Sequence, residues 1–284
     1  MEFTKGHGTG NDFVILPDPD GALDLTPGLV AALCDRRRGL GGDGVLRVVR
    51  AAKHPEGVAL AGEAEWFMDY WNSDGSFAEV CGNGARVFVR YLLDSSLAAP
   101  SGGTLPIATR AGLVRARVEG ADVAVEMRRP RLYDTATATL GGLTLPGTAV
   151  DVGNPHLVCP LPAALELTGL DLTRAPEVDA STFPSGVNVE FTSPGDPVAG
   201  TDGHVLMRVY ERGSAETLSC GTGACAVAAV ALRDAGLDTG TMTVDVPGGR
   251  LTVTVTADSC WLSGPAVLVA TGTLTPSTLG AHHS

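Results

Sequence analysis

Along the 284-residue chain, apolar positions fall mostly in short β-branched runs and only rarely at helical spacing. Val152 to Val158, Val187 to Thr192, Val205 to Tyr210, Thr241 to Val246 and Leu251 to Thr256 read as strands. Pro247-Gly248-Gly249 between the last two is a hairpin signal. Leu113 to Val118 and Asp122 to Met127 flank Gly120 in the same way, and Glu65 to Trp71 runs into an Asp74-Gly75 turn. Helices are few. One is predicted over Thr26 to Arg38, with Thr26 as N-cap, Pro27 at the first helical position and Gly39 as the stop. Two more, Asn83 to Asp94 and Thr222 to Ala235, each open just after a Cys-Gly-x-Gly-Ala window. The second is apolar on every side from Ala224 to Leu232, the pattern of a helix buried at the centre of a domain.

The two cysteine windows lie 139 residues apart, and Gly10-Asn11-Asp12-Phe13-Val14-Ile15 resembles Gly153-Asn154-Pro155-His156-Leu157-Val158 at a spacing of 143. Two correspondences in the same order at nearly the same offset point to a duplication. The chain therefore reads as two halves of similar plan, joined near Arg128-Arg129-Pro130-Arg131. Length alone, at roughly 150 residues per domain, is compatible with that division.

Composition narrows the function classes. With 44% hydrophobic and 18% charged residues, 37 Gly and 18 Pro, the chain folds. Its net charge is −12, and no basic run exceeds Arg36 to Arg38, so neither nucleic acid nor an anionic membrane surface is expected as a partner. The longest apolar run, Ala224 to Leu232, is much shorter than the roughly 18 residues of a membrane span. Met1-Glu2-Phe3-Thr4-Lys5-Gly6 lacks a secretory pattern, so a cytoplasmic location is expected. Six scattered cysteines without a Cys-x-x-Cys pair read as free thiols in a reducing compartment, and no metal site is expected.

Four of those cysteines, Cys34, Cys159, Cys225 and Cys260, read as small buried apolar residues. Cys81 and Cys220 differ, because each stands at a helix start, where about half a positive charge favours thiolate. Two such thiols from two related halves suit an acid and a base on opposite faces of one carbon. One removes a proton, the other returns one, and no cofactor is needed. The backbone N–H groups of Gly82-Asn83 and Gly221-Thr222 are placed to hold the oxygens of an enediolate. Glu211-Arg212, at the end of a strand, offers opposite charges to a ligand with an ammonium and a carboxylate, and the repeat pairs Glu211 with Asn72. Gly39-Leu40-Gly41-Gly42-Asp43-Gly44 matches a dinucleotide-binding pattern literally but follows a helix rather than a strand, so no nucleotide site is expected.

Lys5 to Phe13, Asn72-Ser73-Asp74-Gly75 through Cys81 to Arg86, Gly153 to His156, Gly186-Val187-Asn188, and Tyr210-Glu211-Arg212-Gly213 through Cys220 to Cys225 together resemble the diaminopimelate epimerases. These are cofactor-independent enzymes of lysine biosynthesis that interconvert LL- and meso-diaminopimelate. The resemblance implies an α+β fold of two pseudo-symmetric halves, each a mainly antiparallel sheet wrapped round a central helix, with the active site in the cleft between them. It implies halves of about 1–128 and 129–270, a C-terminal strand at about 271–284 returning to the first half, and a homodimer. It implies that Cys81 and Cys220 are the catalytic bases, with His156 and Glu211 beside them setting their protonation. Asn11, Asn72, Asn154, Asn188 and Arg212 resemble the positions that bind the substrate. Two departures are visible: Gly44 stands where many members carry glutamine, and Gly213-Ser214-Ala215-Glu216-Thr217 varies the loop before the second cysteine. A proline or hydroxyproline racemase-like enzyme, and a non-catalytic ligand-binding or thiol redox protein of the same fold, are the alternatives.

Overall fold

The computed structural model describes residues 1–78, 81–99 and 103–275. The chain divides into two compact units, Met1–Val125 together with the segment from Pro265 onward, and Glu126–Gly264. The first unit contains β1 (Glu2–Gly8), β2 (Asn11–Pro17), α1 (Pro27–Cys34), β3 (Gly44–Arg50), β4 (Trp66–Asn72), α2 (Gly82–Asp94), β5 (Leu105–Thr109), β6 (Gly112–Glu119) and β7 (Asp122–Met127). The second contains β8 (Arg131–Leu140), β9 (Leu143–Asp151), β10 (Pro155–Pro160), β11 (Glu177–Val178), β12 (Asn188–Pro194), β13 (Gly203–Glu211), β14 (Ala215–Thr217), α3 (Gly221–Asp234), β15 (Gly240–Val246), β16 (Gly249–Val255) and β17 (Cys260–Pro265). A last strand, β18 (Val267–Thr273), belongs to the first unit. The rest of the expected return, residues 276–284, lies outside the described residues.

Strand pairing makes the duplication concrete. In the first unit β18-β1-β2-β3-β4-β5-β6-β7 pair in succession, all antiparallel except β2–β3 and β4–β5, which are parallel. In the second, β8-β9-β10-β12-β13-β15-β16-β17 repeat that order, with β10–β12 and β13–β15 parallel. β18 thus occupies in the first unit the place of β8 in the second. The architecture is α+β with two pseudo-symmetric, mainly antiparallel sheets, each carrying one buried helix, α2 or α3, against its strands.

Register fixes which side chains meet those helices. Phe13 is opposite Gly44 and Ile15 opposite Leu46 in the first unit; His156 is opposite Asn188 and Val158 opposite Glu190 in the second. Phe13 and Leu46 are fully buried, as are His156 and Glu190. The same two sites are therefore apolar in one half and ionisable in the other.

Two local expectations require correction. The helix expected over Thr26 to Arg38 ends at Cys34, although Thr26 caps it by accepting from Leu29 N at 3.3 Å. Asp35 Oδ1 takes the N–H groups of Arg37 and Arg38, both at 2.8 Å, and this side-chain turn competes with the next helical turn. Val152 to Val158 is not one strand. Val152, Gly153 at φ +100° and Asn154 form the turn between β9 and β10, the strand starts only at Pro155, and Asp151 Oδ1 accepts from Gly153 N at 2.8 Å. Among the described residues no helix is long and apolar enough to cross a membrane.

Candidate active site

Both expected helices begin one residue earlier than the sequence suggests, at Gly82 and Gly221, so the cysteines themselves are the N-caps. Cys81 Sγ accepts from Gly84 N at 3.4 Å, and Cys220 Sγ accepts from Gly223 N at 3.4 Å. Each sulfur thus lies against orphan amide groups at the positive end of a helix. Cys81 is half-buried and Cys220 is 6% exposed.

In the first unit Asn11, at the start of β2, lies beside Cys81. Its Oδ1 accepts from Cys81 Sγ at 3.6 Å and from Asn83 Nδ2 at 3.3 Å. Its Nδ2 donates to Asp43 Oδ2 at 2.7 Å, and Arg36 bridges Asp43 to Asp12 at 2.8 and 2.7 Å. Burial would raise the Asp12 carboxyl, but hydrogen bonds from Arg36 and Lys5 outweigh it and hold the group well below the usual carboxylate range. Buried Arg86 anchors the same turn through Thr9 Oγ1 at 3.2 Å and Asn83 Oδ1 at 3.0 Å. Asn72, the last residue of β4 and opposite Gly44, donates to Ser76 Oγ at 3.0 Å. At Gly44 an added Cβ would stand 2.4 Å from Trp71 O, so the backbone here has no room for the glutamine that many family members carry.

In the second unit, His156 and Glu211 flank the Cys220 end of α3 from β10 and β13. His156 Nδ1 faces Glu190 Oε1 at 2.7 Å, and its Nε2 faces Asn154 Oδ1 at 3.0 Å. Asn154 Nδ2 makes a long 3.5 Å contact with Thr222 Oγ1, itself 3.5 Å from Cys220 Sγ. Thr217 Oγ1 donates to Glu211 Oε1. Asn188 is spent on backbone: Nδ2 donates to Pro155 O at 3.2 Å and Oδ1 accepts from Arg212 N at 2.9 Å, tying together the ends of three strands. The exposed Arg212 guanidinium donates to Ser185 O at 2.8 Å.

The expectation that both helix-start thiols are shifted toward thiolate fails for Cys220. Burial pushes that thiol well above its ordinary value, and the Glu211 and Glu190 carboxyls add to it, against smaller opposing effects of Thr222 and Gly223 N–H. Half a charge at a helix end does not offset desolvation of a sulfur anion beside two acids. Glu211 is likewise raised by burial, with Glu190 adding and the bonds from Thr217 and Cys220 opposing. Cys220 therefore rests as a thiol, and Glu211 holds a proton more tightly than an ordinary carboxyl. Cys34 and Cys159 are pushed up to about 11 and about 12 by burial, as expected of inert thiols.

Glu190 is the site residue that the sequence reading missed. Its signal was the register: counted in the repeat, it falls where the first half has Leu46. Among the described residues, no group of three or more His, Cys, Asp or Glu could hold a metal ion. A cavity of about 300 Å³ in the second unit lies against the C-terminal half of α3, including Val227, Val230 and Asp234, and not against its cysteine end.

Solved structures define the class of fold. A phenazine biosynthesis protein of the PhzF family from Bacillus anthracis matches with a TM-score of 0.72 at 18% identity, over 97% of this chain and 99% of that one. A probable proline racemase from Agrobacterium radiobacter K84 matches with a TM-score of 0.65 at 15% identity, over 98% and 95%. The sequence is more discriminating. A family model described as diaminopimelate epimerase matches residues 3–133 and 148–275, and the diaminopimelate epimerase of Mycolicibacterium smegmatis is 50% identical over 97% of each chain. The chain belongs to the diaminopimelate epimerase family.

Proposed function

We propose that the protein interconverts LL- and meso-diaminopimelate in lysine biosynthesis, using Cys81 and Cys220 as an acid and base pair on one Cα. The observation that carries the mechanism is the identical placement of two cysteines, each capping the buried helix of a repeated unit through its sulfur. Identity of 50% to a protein named for this activity favours diaminopimelate over proline, since the fold is common to both kinds of enzyme.

In one direction a thiolate takes the Cα proton. The C–H electron pair stays on carbon and spreads into the neighbouring carboxylate as an enediolate, whose oxygens the N–H groups of Gly82-Asn83 and Gly221-Thr222 are suited to hold. The other thiol delivers its proton to the opposite face, and the reverse reaction exchanges the roles. Electrons balance without a redox partner. Because burial keeps Cys220 protonated, its thiolate form needs a proton acceptor; Glu211 in its ionised form is the neighbour suited to that role, and His156 favours that form. Asn11, Asn72, Asn154 and Arg212 are assigned to the amino and carboxylate groups of the substrate, and Asn188 to holding Arg212 in place. The reading extends to a cytoplasmic homodimer, which light scattering in solution would test.

In D2O the enzyme should place deuterium at one Cα of diaminopimelate, and both Cys81→Ala and Cys220→Ala should abolish epimerisation. Epimerisation retained by either variant refutes the paired mechanism; turnover of proline or 4-hydroxyproline in place of diaminopimelate refutes the substrate.

A further inference from the structure

We infer that Glu190 is a positioning residue for the reaction at Cys220: through the ring of His156 it keeps a hydrogen on Nε2 and thereby fixes which end of the Asn154 amide faces Thr222 and the start of α3. The inference rests on the function proposed above.

The first argument is the comparison inside the molecule. Equivalent strands place Phe13 and Leu46 under α2, and His156 and Glu190 under α3. An added Cβ on Gly84 would meet Leu46 Cδ2 and Phe13 Cζ, both at 3.4 Å, whereas one on Gly223 would stand 2.7 Å from Glu190 Oε1. The fold is therefore satisfied by two apolar side chains at these sites. Replacing a buried ion pair by well-packed apolar residues is often neutral or stabilising, so packing gives no reason to keep one. The second half nevertheless keeps a fully buried acid and histidine, with Glu190 Oε2 lacking a hydrogen-bond partner among the described residues.

The second argument is the direction of the hydrogen bonds. Nδ1 of His156 faces a carboxyl and Nε2 faces the amide oxygen of Asn154. With one proton held by the pair beyond that of the neutral ring, Nδ1 either donates to a carboxylate or accepts from a carboxylic acid. In both forms Nε2 carries a hydrogen and donates to Asn154 Oδ1. Asn154 Nδ2 then points to Thr222 Oγ1, where it can meet an anionic ligand group at the helix start. Losing the proton would leave a net negative charge in the core, which burial of Glu190 opposes. Were Nε2 stripped of its hydrogen, the amide would invert and offer its oxygen to a carboxylate. The titratable groups that share this field are Glu211 on β13, Cys220 at the cap of α3 and Cys159 on β10.

The test compares wild type with Glu190→Leu, which copies the first half, and Glu190→Gln, whose amide can donate to Nδ1 and so retain the Nε2 hydrogen. Glu190→Leu leaves His156 Nδ1 without its partner, so it should stay folded at a lowered melting temperature and raise KM for diaminopimelate about tenfold with a smaller change in kcat. Glu190→Gln should recover most of that loss. Nitrogen-15 NMR of the ligand-free enzyme, from about pH 6 to about pH 9, should find Nε2 of His156 protonated in wild type and Glu190→Gln and a tautomer mixture in Glu190→Leu. If the leucine variant does not fold, Glu190→Ala takes the same measurements. An unchanged tautomer or KM in the variant lacking the polar group, or equal losses in the glutamine and leucine variants, overturns the inference. The NMR result does not depend on turnover, so failure of wild type to act on diaminopimelate would sink the proposed function and leave this inference decided on the ring alone.

Discussion

Asn11 Nδ2 lies 2.7 Å from Asp43 Oδ2, and that single contact decides which end of the Asn11 amide Cys81 meets. A carboxylate only accepts hydrogen bonds, so the amide nitrogen turns to Asp43 and the amide oxygen to Cys81 and Asn83. Asp43→Ala should free the amide and lower kcat/KM about tenfold while the protein stays folded. Steady-state assays beside thermal melts check this. A variant as active as wild type would mean that Asn11 is held by other means.

Gly223 and Gly84 are equivalent in the repeat but unequal in space. Gly223→Ala drives a methyl group into Glu190 and should cost about 1–3 kcal/mol. Gly84→Ala meets ordinary contacts and should cost little. Combining Gly223→Ala with Glu190→Ala should relieve most of the penalty, which a double-mutant cycle in urea would measure. Additive losses would place the strain elsewhere.

Alkylation should separate the cysteines. In the ligand-free enzyme iodoacetamide should label half-buried Cys81 before Cys220, whose rate should climb only above the ordinary thiol range because burial and two acids oppose its thiolate. Cys34 and Cys159 should stay unlabelled until the protein unfolds. Peptide mass spectrometry against pH reads all four sites at once. Fast labelling of Cys220 at neutral pH would contradict the effect of burial.

Glu211 gives a pH dependence of stability with a definite sign. Its folded carboxyl is raised above the ordinary value by burial, so its contribution is complete below about pH 4.3 and is lost as pH climbs through the raised value. Glu211→Gln lacks that loss. Its stability relative to wild type should therefore improve from about pH 4 to about pH 8, while epimerisation falls. A difference that does not vary with pH would mean that the acid is not perturbed by folding.

Much of the site was legible because the duplication repeats sequence as well as structure. Cys81 and Cys220 could be found from the Cys-Gly-x-Gly-Ala windows, since a helix start with small residues is a local feature. Asn11 and Asn154 follow glycines at strand starts and indeed lie against those helix starts. Thr26 capped its helix as the local pattern required, but Asp35 ended it early, because a short side chain reaching two amides competes with a helix in a way that spacing does not reveal.

What the sequence by itself determined is the strand-rich, doubled plan and the pair of cysteines at two helix starts, all consequences of interactions a few residues long and of a repeat visible along the chain. Only tertiary structure decided that Asn188 is occupied by backbone, that Cys220 rests as a thiol, and that Glu190 stands behind His156. Those facts depend on parallel strands that join residues 34 apart and on the removal of water from their side chains, and neither pairing nor desolvation is a property of any local stretch.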